Sequence, residues 1–113
     1  MRDDTVRLHD ILEAIEHIEK YAVKGQTAFE ADELIQVWFL RHLQIIGEAS
    51  RALSSSLKDS HPEIPWAKII GMRHILVHDY LGVNLEKVWK IIENDLPVLE
   101  RQVRAILDDL GGA

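Results

Sequence analysis

Leu34-Ile35-Gln36-Val37-Trp38-Phe39-Leu40-Arg41-His42-Leu43-Gln44-Ile45-Ile46 is the run whose reading decides the fold. Its apolar residues recur at three- and four-residue intervals and do not alternate with period two, so it reads as a helix. It is apolar round most of its circumference, whereas one stripe would be enough to pack against a small domain. Two arrangements meet that condition. Either the helix is the buried centre of its own chain, or a second chain covers one of its faces. The helix is expected to begin between Glu30 and Glu33 and to continue to about Leu57. Gly47 interrupts it, at about 1 kcal/mol relative to alanine where solvent-exposed, and permits another helix to come close.

The flanking segments carry the same period. Asp3 or Asp4 caps a first helix whose inward stripe is Leu8, Ile11, Leu12, Ile15, Ile18 and Ala22, with Glu13, Glu16 and Glu19 largely off that stripe. Gly25 ends it or opens the following loop. Ser54-Ser55-Ser56 and His61-Pro62-Glu63-Ile64-Pro65 form a connector. Pro65 suits the first turn of a helix packed through Trp66, Ile69, Ile70 and Val77. Gly82 closes that element and Asn84 caps the last one, which runs through Leu85, Val88, Trp89, Ile92, Leu96, Leu99, Val103, Ile106 and Leu110. Pro97 should kink or split it near Asn94 to Leu96. Gly111 to Ala113 are expected to fray. No Asn-Gly or Asp-Gly hairpin turn is present. The expectation is an all-α up-and-down bundle of four or five helices, dimerising through its helices, with residues 1–113 as one domain.

Composition narrows the function classes. At 113 residues there is room for one core but not for two. The absence of cysteine removes disulfides and thiolate metal ligands. No basic start leads into an apolar leader, and no apolar run nears the ~20 residues of a membrane span, so a cytoplasmic address is expected. The net charge of −6 argues against a broad phosphate-binding face. Its distribution is uneven, however. From Ile35 to Tyr80 five basic residues stand against four acidic ones, so the deficit lies wholly in the flanks.

The chemistry is concentrated in Gly71-Met72-Arg73-His74-Ile75-Leu76-Val77-His78-Asp79-Tyr80. Arg73 and Tyr80, seven apart, point nearly the same way on a straight helix, whereas His78 points about 140° from Arg73. The three share no face unless the helix loosens at His78 or a second subunit brings its own copy. An Arg and a His without a metal cage suit RNA cleavage by the 2′-hydroxyl, the His moving the proton and the Arg holding the phosphorane charge. The same residues also fit a purely structural role, with Arg73 paired to Glu48 and His78 at a helix C-terminus. Arg41, Glu48 and Arg51 can share a face of the central helix and pair there. His74 and His78, four apart, could chelate a metal, but Ile75 stands where a zinc protease carries its Glu, and no metal site is assigned there. Gly-rich phosphate loops, serine elbows and zinc-finger spacings are absent.

Arg73-x4-His78-x-Tyr80 resembles the R-x4-H-x-Y signature of HepT-like proteins, the toxin branch of the HEPN ribonuclease superfamily. The likeness extends over nearly the whole chain, through Ile45-Ile46-Gly47-Glu48-Ala49, the block from Pro62 to Val83, and Trp89 followed by Glu93-Asn94-Asp95-Leu96-Pro97. It implies a helical homodimer with a metal-independent ribonuclease site in the interface cleft, catalysed by Arg73 and His78, with no cofactor. It also implies a partner, a minimal nucleotidyltransferase antitoxin of the MntA type, which transfers AMP to Tyr80 and so blocks the site by bulk and like charge. His74 stands where this branch often has Asn; it joins Asp79, Glu48 and Arg41 as possible support of the site. A second reading keeps the partner and drops catalysis, making the chain a helical binding module for the nucleotidyltransferase.

Overall fold

The computed structural model describes residues 2–78 and 84–111, excepting the side chains of Arg2 and of residues 74–78. The helices are α1 (Arg2–Ala22), α2 (Gln26–Ala31), α3 (Glu33–Ala52), α4 (Ser55–Ser60), α5 (Trp66–His78), α6 (Leu85–Lys90) and α7 (Leu96–Leu110). No strand occurs among the described residues. The four long helices make the bundle, and α3 is its spine, packed against α1 on one side and α5 on the other. α7 covers α1 from outside. This is the all-α architecture that the apolar periodicity calls for.

α1 and α3 run antiparallel. Near the start of α1, Asp4 accepts hydrogen bonds from the Ser54 backbone N–H (2.8 Å) and Oγ (2.7 Å), just past the end of α3. Toward the other end of α1, the His17 carbonyl accepts from Trp38 Nε1 at 2.6 Å. Between these ties lie the fully enclosed Leu8, Ile11, Ile15 and Ile18 of α1 and Phe39, Leu43 and Ile46 of α3. Burial of each such side chain contributes about 1.5–3 kcal/mol.

Two boundaries differ from the sequence reading. The loop after α1 is short, because Gly25 takes φ +92°, a left-handed turn that glycine adopts without a Cβ clash, and α2 starts at once. α2 seats Phe29 between Phe39 and Trp89, with ring centroids 5.1 and 5.8 Å away. The central helix ends at Ala52 rather than near Leu57, since Leu53 is extended and Ser54 caps a new helix by accepting from Leu57 N–H at 3.1 Å. Residues placed in a connector therefore form α4. The expected break before Pro97 is present as a π-helical turn over Ile91–Asp95, which gives way to α7 with Pro97 in its first turn.

Of the two readings of α3, burial within its own chain accounts for most of the helix. Ile35, Phe39, Leu40, Leu43 and Ile46 are buried within the chain, so most of the second apolar face is internal. What remains outward is a strip at three- and four-residue spacing: Leu34 and Val37, 80% and 44% exposed, then Arg41, Gln44, Glu48 and Arg51.

Candidate active site

Arg73 is set in place by a missing side chain. A Cβ on Gly47 would lie 3.1 Å from the Arg73 backbone nitrogen, 3.2 Å from Arg73 Cβ and 3.2 Å from the Ile69 carbonyl oxygen. Gly47 thus lets α3 and α5 touch backbone to backbone at the level of Arg73. Buried Ile69 and Met72 hold the same stretch of α5 in the core.

The Arg73 side chain is half-buried, and its Nε is shielded from solvent without a hydrogen-bond partner among the described residues. A shielded donor left unpaired on a permanently charged group costs about 1–3 kcal/mol. Glu48, beside Gly47, is exposed and accepts from the Gln44 side-chain amide at 3.4 Å. Among the described residues no ion pair joins Arg73 to Glu48, or Glu48 to Arg41 or Arg51. The structural role considered for Arg73 therefore lacks its carboxylate. Arg41, Glu48 and Arg51 do share one face, but each projects from it separately.

α5 remains helical to His78, so the helix does not loosen before that residue. Over those five residues the backbone rises about 7.5 Å and turns about 140° away from the direction of Arg73. The backbone positions of Arg73 and His78 therefore lie on different sides of α5. The backbones of His74 and His78 belong to α5, their side chains lie outside the described residues, and Asp79 and Tyr80 lie outside them altogether.

A second polar cluster escaped the sequence reading. His17 of α1 and His42 of α3 have ring centroids 4.9 Å apart, and Trp38 lies 4.4 Å from His42 and 5.5 Å from His17. His42 is buried, and that burial holds its imidazole below the ordinary value, so it is neutral near pH 7. The available signal was a histidine four residues after Trp38 inside an apolar run, where a solvated position was not on offer. Two carboxylates elsewhere are also perturbed. Burial would raise Asp4, but the two bonds from Ser54 outweigh it and hold Asp4 low. Glu19 is raised by burial and by the adjacent Glu100.

Residues 11–106 match the Ribonuclease HepT-like family. The chain belongs to that family. It is 42% identical over 96 residues to a protein of Thermococcus cleftensis named as a probable ribonuclease HepT, covering 82% of this chain and 86% of that one. It is 32% identical over 106 residues to a Methanocaldococcus jannaschii protein named as a putative RNase, covering 93% and 97%. No solved structure matches. The family match takes in α5 and Gly47, so the close α3–α5 contact belongs to the HepT-like part of the chain. No helix among the described residues is long and apolar enough to cross a membrane.

Proposed function

We propose that this HepT-like chain is the toxin of a toxin–antitoxin pair and an endoribonuclease that needs no metal, with Arg73 and His78 as its catalytic residues. The 2′-oxygen of a ribose attacks the adjacent phosphorus, the bond to the 5′-oxygen breaks, and a 2′,3′-cyclic phosphate and a 5′-hydroxyl result. His78 moves the proton between the attacking and leaving oxygens, and Arg73 balances the charge of the phosphorane. The observation that carries this reading is half-buried Arg73, its backbone set against Gly47 and its Nε shielded from solvent without a hydrogen-bond or ion-pair partner among the described residues. An anion arriving there gains a charge-assisted bond that the described residues leave unmade.

The 140° between Arg73 and His78 favours a site shared by two chains. The outward strip of α3 fits that role. Arg41 and Glu48 lie equally far on either side of the midpoint between Gln44 and Ile45. An antiparallel pairing of two α3 helices about that midpoint sets Arg41 opposite the partner's Glu48 and the partner's Arg41 opposite Glu48. Gly47, and with it Arg73, lies within one helical turn of the midpoint, so both arginines approach a single cleft. Leu34 and Val37 would find cover toward the ends of the same strip.

Tyr80 is the proposed point of control. Its oxygen would attack the α-phosphorus of ATP on a nucleotidyltransferase antitoxin, releasing pyrophosphate and leaving AMP where RNA must sit. The experiment is cleavage of a single-stranded RNA by purified dimer with excess EDTA, assayed for cyclic-phosphate ends. Arg73→Ala and His78→Ala should each reduce the rate at least a hundredfold. Full activity in His78→Ala would remove His78 from the mechanism. Cleavage absent from the wild type, with AMP still transferred to Tyr80, would leave the binding-module reading in its place.

A further inference from the structure

The chain carries an excess of carboxylates, and each Lys or Arg ion pair among the described residues lies on α1, α6 or α7: Arg7 with Asp10, Lys90 with Glu86, and Arg104 with Glu16 and Glu100. The cations of α3, α4 and α5 behave differently. Arg41, Arg51, Lys58, Lys68 and Arg73 form no ion pair among the described residues. We propose that Arg51 is a phosphate-binding residue for RNA, holding the phosphate next to the one that Arg73 takes. Such a contact presupposes the ribonuclease reading above and adds to it a second hold on the substrate backbone.

Arg51 follows Gly47 by four residues, so it lies one helical turn, about 6 Å, further along α3 and about 40° round from it. It therefore borders the same α3–α5 seam as Arg73, whose backbone meets Gly47. One helical turn is close to the step between neighbouring phosphates along an RNA strand, so two cations placed in this way suit consecutive phosphates. Arg51 is exposed, and its guanidinium makes no hydrogen bond among the described residues. Beside it, Lys58 Nζ donates to the Arg51 carbonyl oxygen at 3.2 Å, which sets a further positive charge on the end of α3.

The nearby carboxylates leave Arg51 available. Glu48, the one acid in the second half of α3, sits about 100° round from Gly47 and accepts from Gln44 at 3.4 Å. Asp4 is taken up by Ser54, and Glu63 lies 3.3 Å from His61. Asp59, in α4, is exposed and pairs with neither Arg51 nor Lys58. The helix dipole favours a cation in the last turn of α3, and Arg51 gains from it. That gain does not explain Arg73, which is unpaired in the middle of α5. A binding site for an extended anion accounts for both. The planar guanidinium fork of Arg51 matches two oxygens of one phosphate. In the register proposed for the dimer, Arg51 lies past Glu48 toward the end of the strip, clear of the pairing between Glu48 and the partner's Arg41.

A single-stranded RNA with 2′-O-methyl groups cannot supply the attacking oxygen, so its binding reports backbone contacts without cleavage. Fluorescence anisotropy of this RNA with the purified chain, over a series of salt concentrations, tests the assignment. Arg51→Gln should weaken binding about fivefold or more and reduce the salt slope by about 0.7, the share of one phosphate on a single strand. With cleavable RNA it should raise KM by a similar factor while kcat moves less than about twofold. Arg51→Lys should recover most of the affinity. Arg101→Gln removes an exposed cation of α7 and should bind as the wild type does. Sedimentation should show Arg51→Gln in the same oligomeric state as the wild type. Wild-type affinity and salt slope in Arg51→Gln would overturn the proposal. So would an equal loss in Arg101→Gln, dissociation of the Arg51→Gln dimer, or no RNA binding by the wild type. A wild type that binds the methylated RNA but never cuts RNA would sink the ribonuclease reading, while the Arg51→Gln salt slope still decides this one.

Discussion

Replacing Gly47 with alanine tests whether the α3–α5 contact positions the arginine. In an unobstructed helix interior this change stabilises by about 1 kcal/mol, because glycine gives up more backbone freedom on folding. At Gly47 the added methyl meets two backbone atoms and a Cβ at 3.1–3.2 Å, and none of these is the end of a flexible side chain. Relief requires α5 to move outward by a few tenths of an ångström, and overpacking of this kind costs about 1–3 kcal/mol. The net expectation is a loss of about 0–2 kcal/mol, or a Tm lower by up to about 8 °C for a chain of this size. Because the displaced segment carries Arg73, RNA cleavage should fall by about tenfold or more, as small misplacements of catalytic groups do. Gly71→Ala, in the interior of α5, is the matched control, for a Cβ there meets no neighbouring atom within 4 Å. It should raise Tm and leave cleavage unchanged. Thermal unfolding and cleavage rates of the two variants, measured side by side, decide the matter. A Gly47→Ala protein as stabilised as Gly71→Ala, cutting RNA at the wild-type rate, would refute the claim that this contact positions Arg73.

Reversing one charge on the α3 strip, as Arg41→Glu or Glu48→Arg, should weaken the dimer in analytical ultracentrifugation, and combining both reversals should restore it; single reversals without effect would exclude the proposed register. Asp4→Ala removes both bonds to Ser54 and should cost about 2 kcal/mol at pH 7 by chemical unfolding. Since Asp4 titrates below its ordinary value when folded, that stability is present above about pH 4 and lost as pH falls through the folded value. Wild type and Asp4→Ala should therefore converge in stability in strong acid. Glu19 behaves in the opposite sense: its folded value is raised, so the native chain loses stability as pH rises through it. Glu19→Gln should then raise Tm at pH 7 and make no difference near pH 3; equal Tm at both pH values would show that Glu100 does not strain Glu19.

The α-helical class, the start of α5 after Pro65, the Asn84 cap and the break before α7 were readable from period and caps because apolar spacing and capping act locally. Asp3 and Asp4, expected to cap α1, lie instead inside its first turn, and Gly82, expected to close α5, lies outside the described residues. The end of α3 was not readable in this way. Leu53 and Leu57 continue the apolar pattern, and what stops the helix is Asp4, fifty residues away in sequence, drawing Ser54 into a cap. α2 was missed for a similar reason: six residues make no stable helix alone, and this one persists through Phe29 in the core and the Gln36 amide donating to the Phe29 and Glu30 carbonyls at 3.1 Å. At the site, the identity of Arg73 and its spacing to His78 were legible. That Glu48 does not pair with it was not, since Glu48 stands at a spacing that equally well permits a salt bridge. Gly47 was readable as a point of close approach, but the residue approaching it was not.

The proposed shared site rests on the backbone of α5, which stays helical from Arg73 to His78 and so sets the two positions about 140° apart around the helix. A longer side chain reaches a few ångströms further but does not cancel a turn of about 140° in a helix that stays regular to His78. In the proposed mechanism the arginine and the histidine that meet at one phosphate come from two copies of the chain. Mixing His78→Ala chains with Arg73→Ala chains tests that arrangement directly. If the catalytic pair is drawn from two chains, mixed dimers contain one intact Arg–His pair and recover up to half of wild-type activity per dimer, although each parent is inactive. If Arg73 and His78 act within one chain, every mixture stays as inactive as its parents, and the composite cleft is wrong.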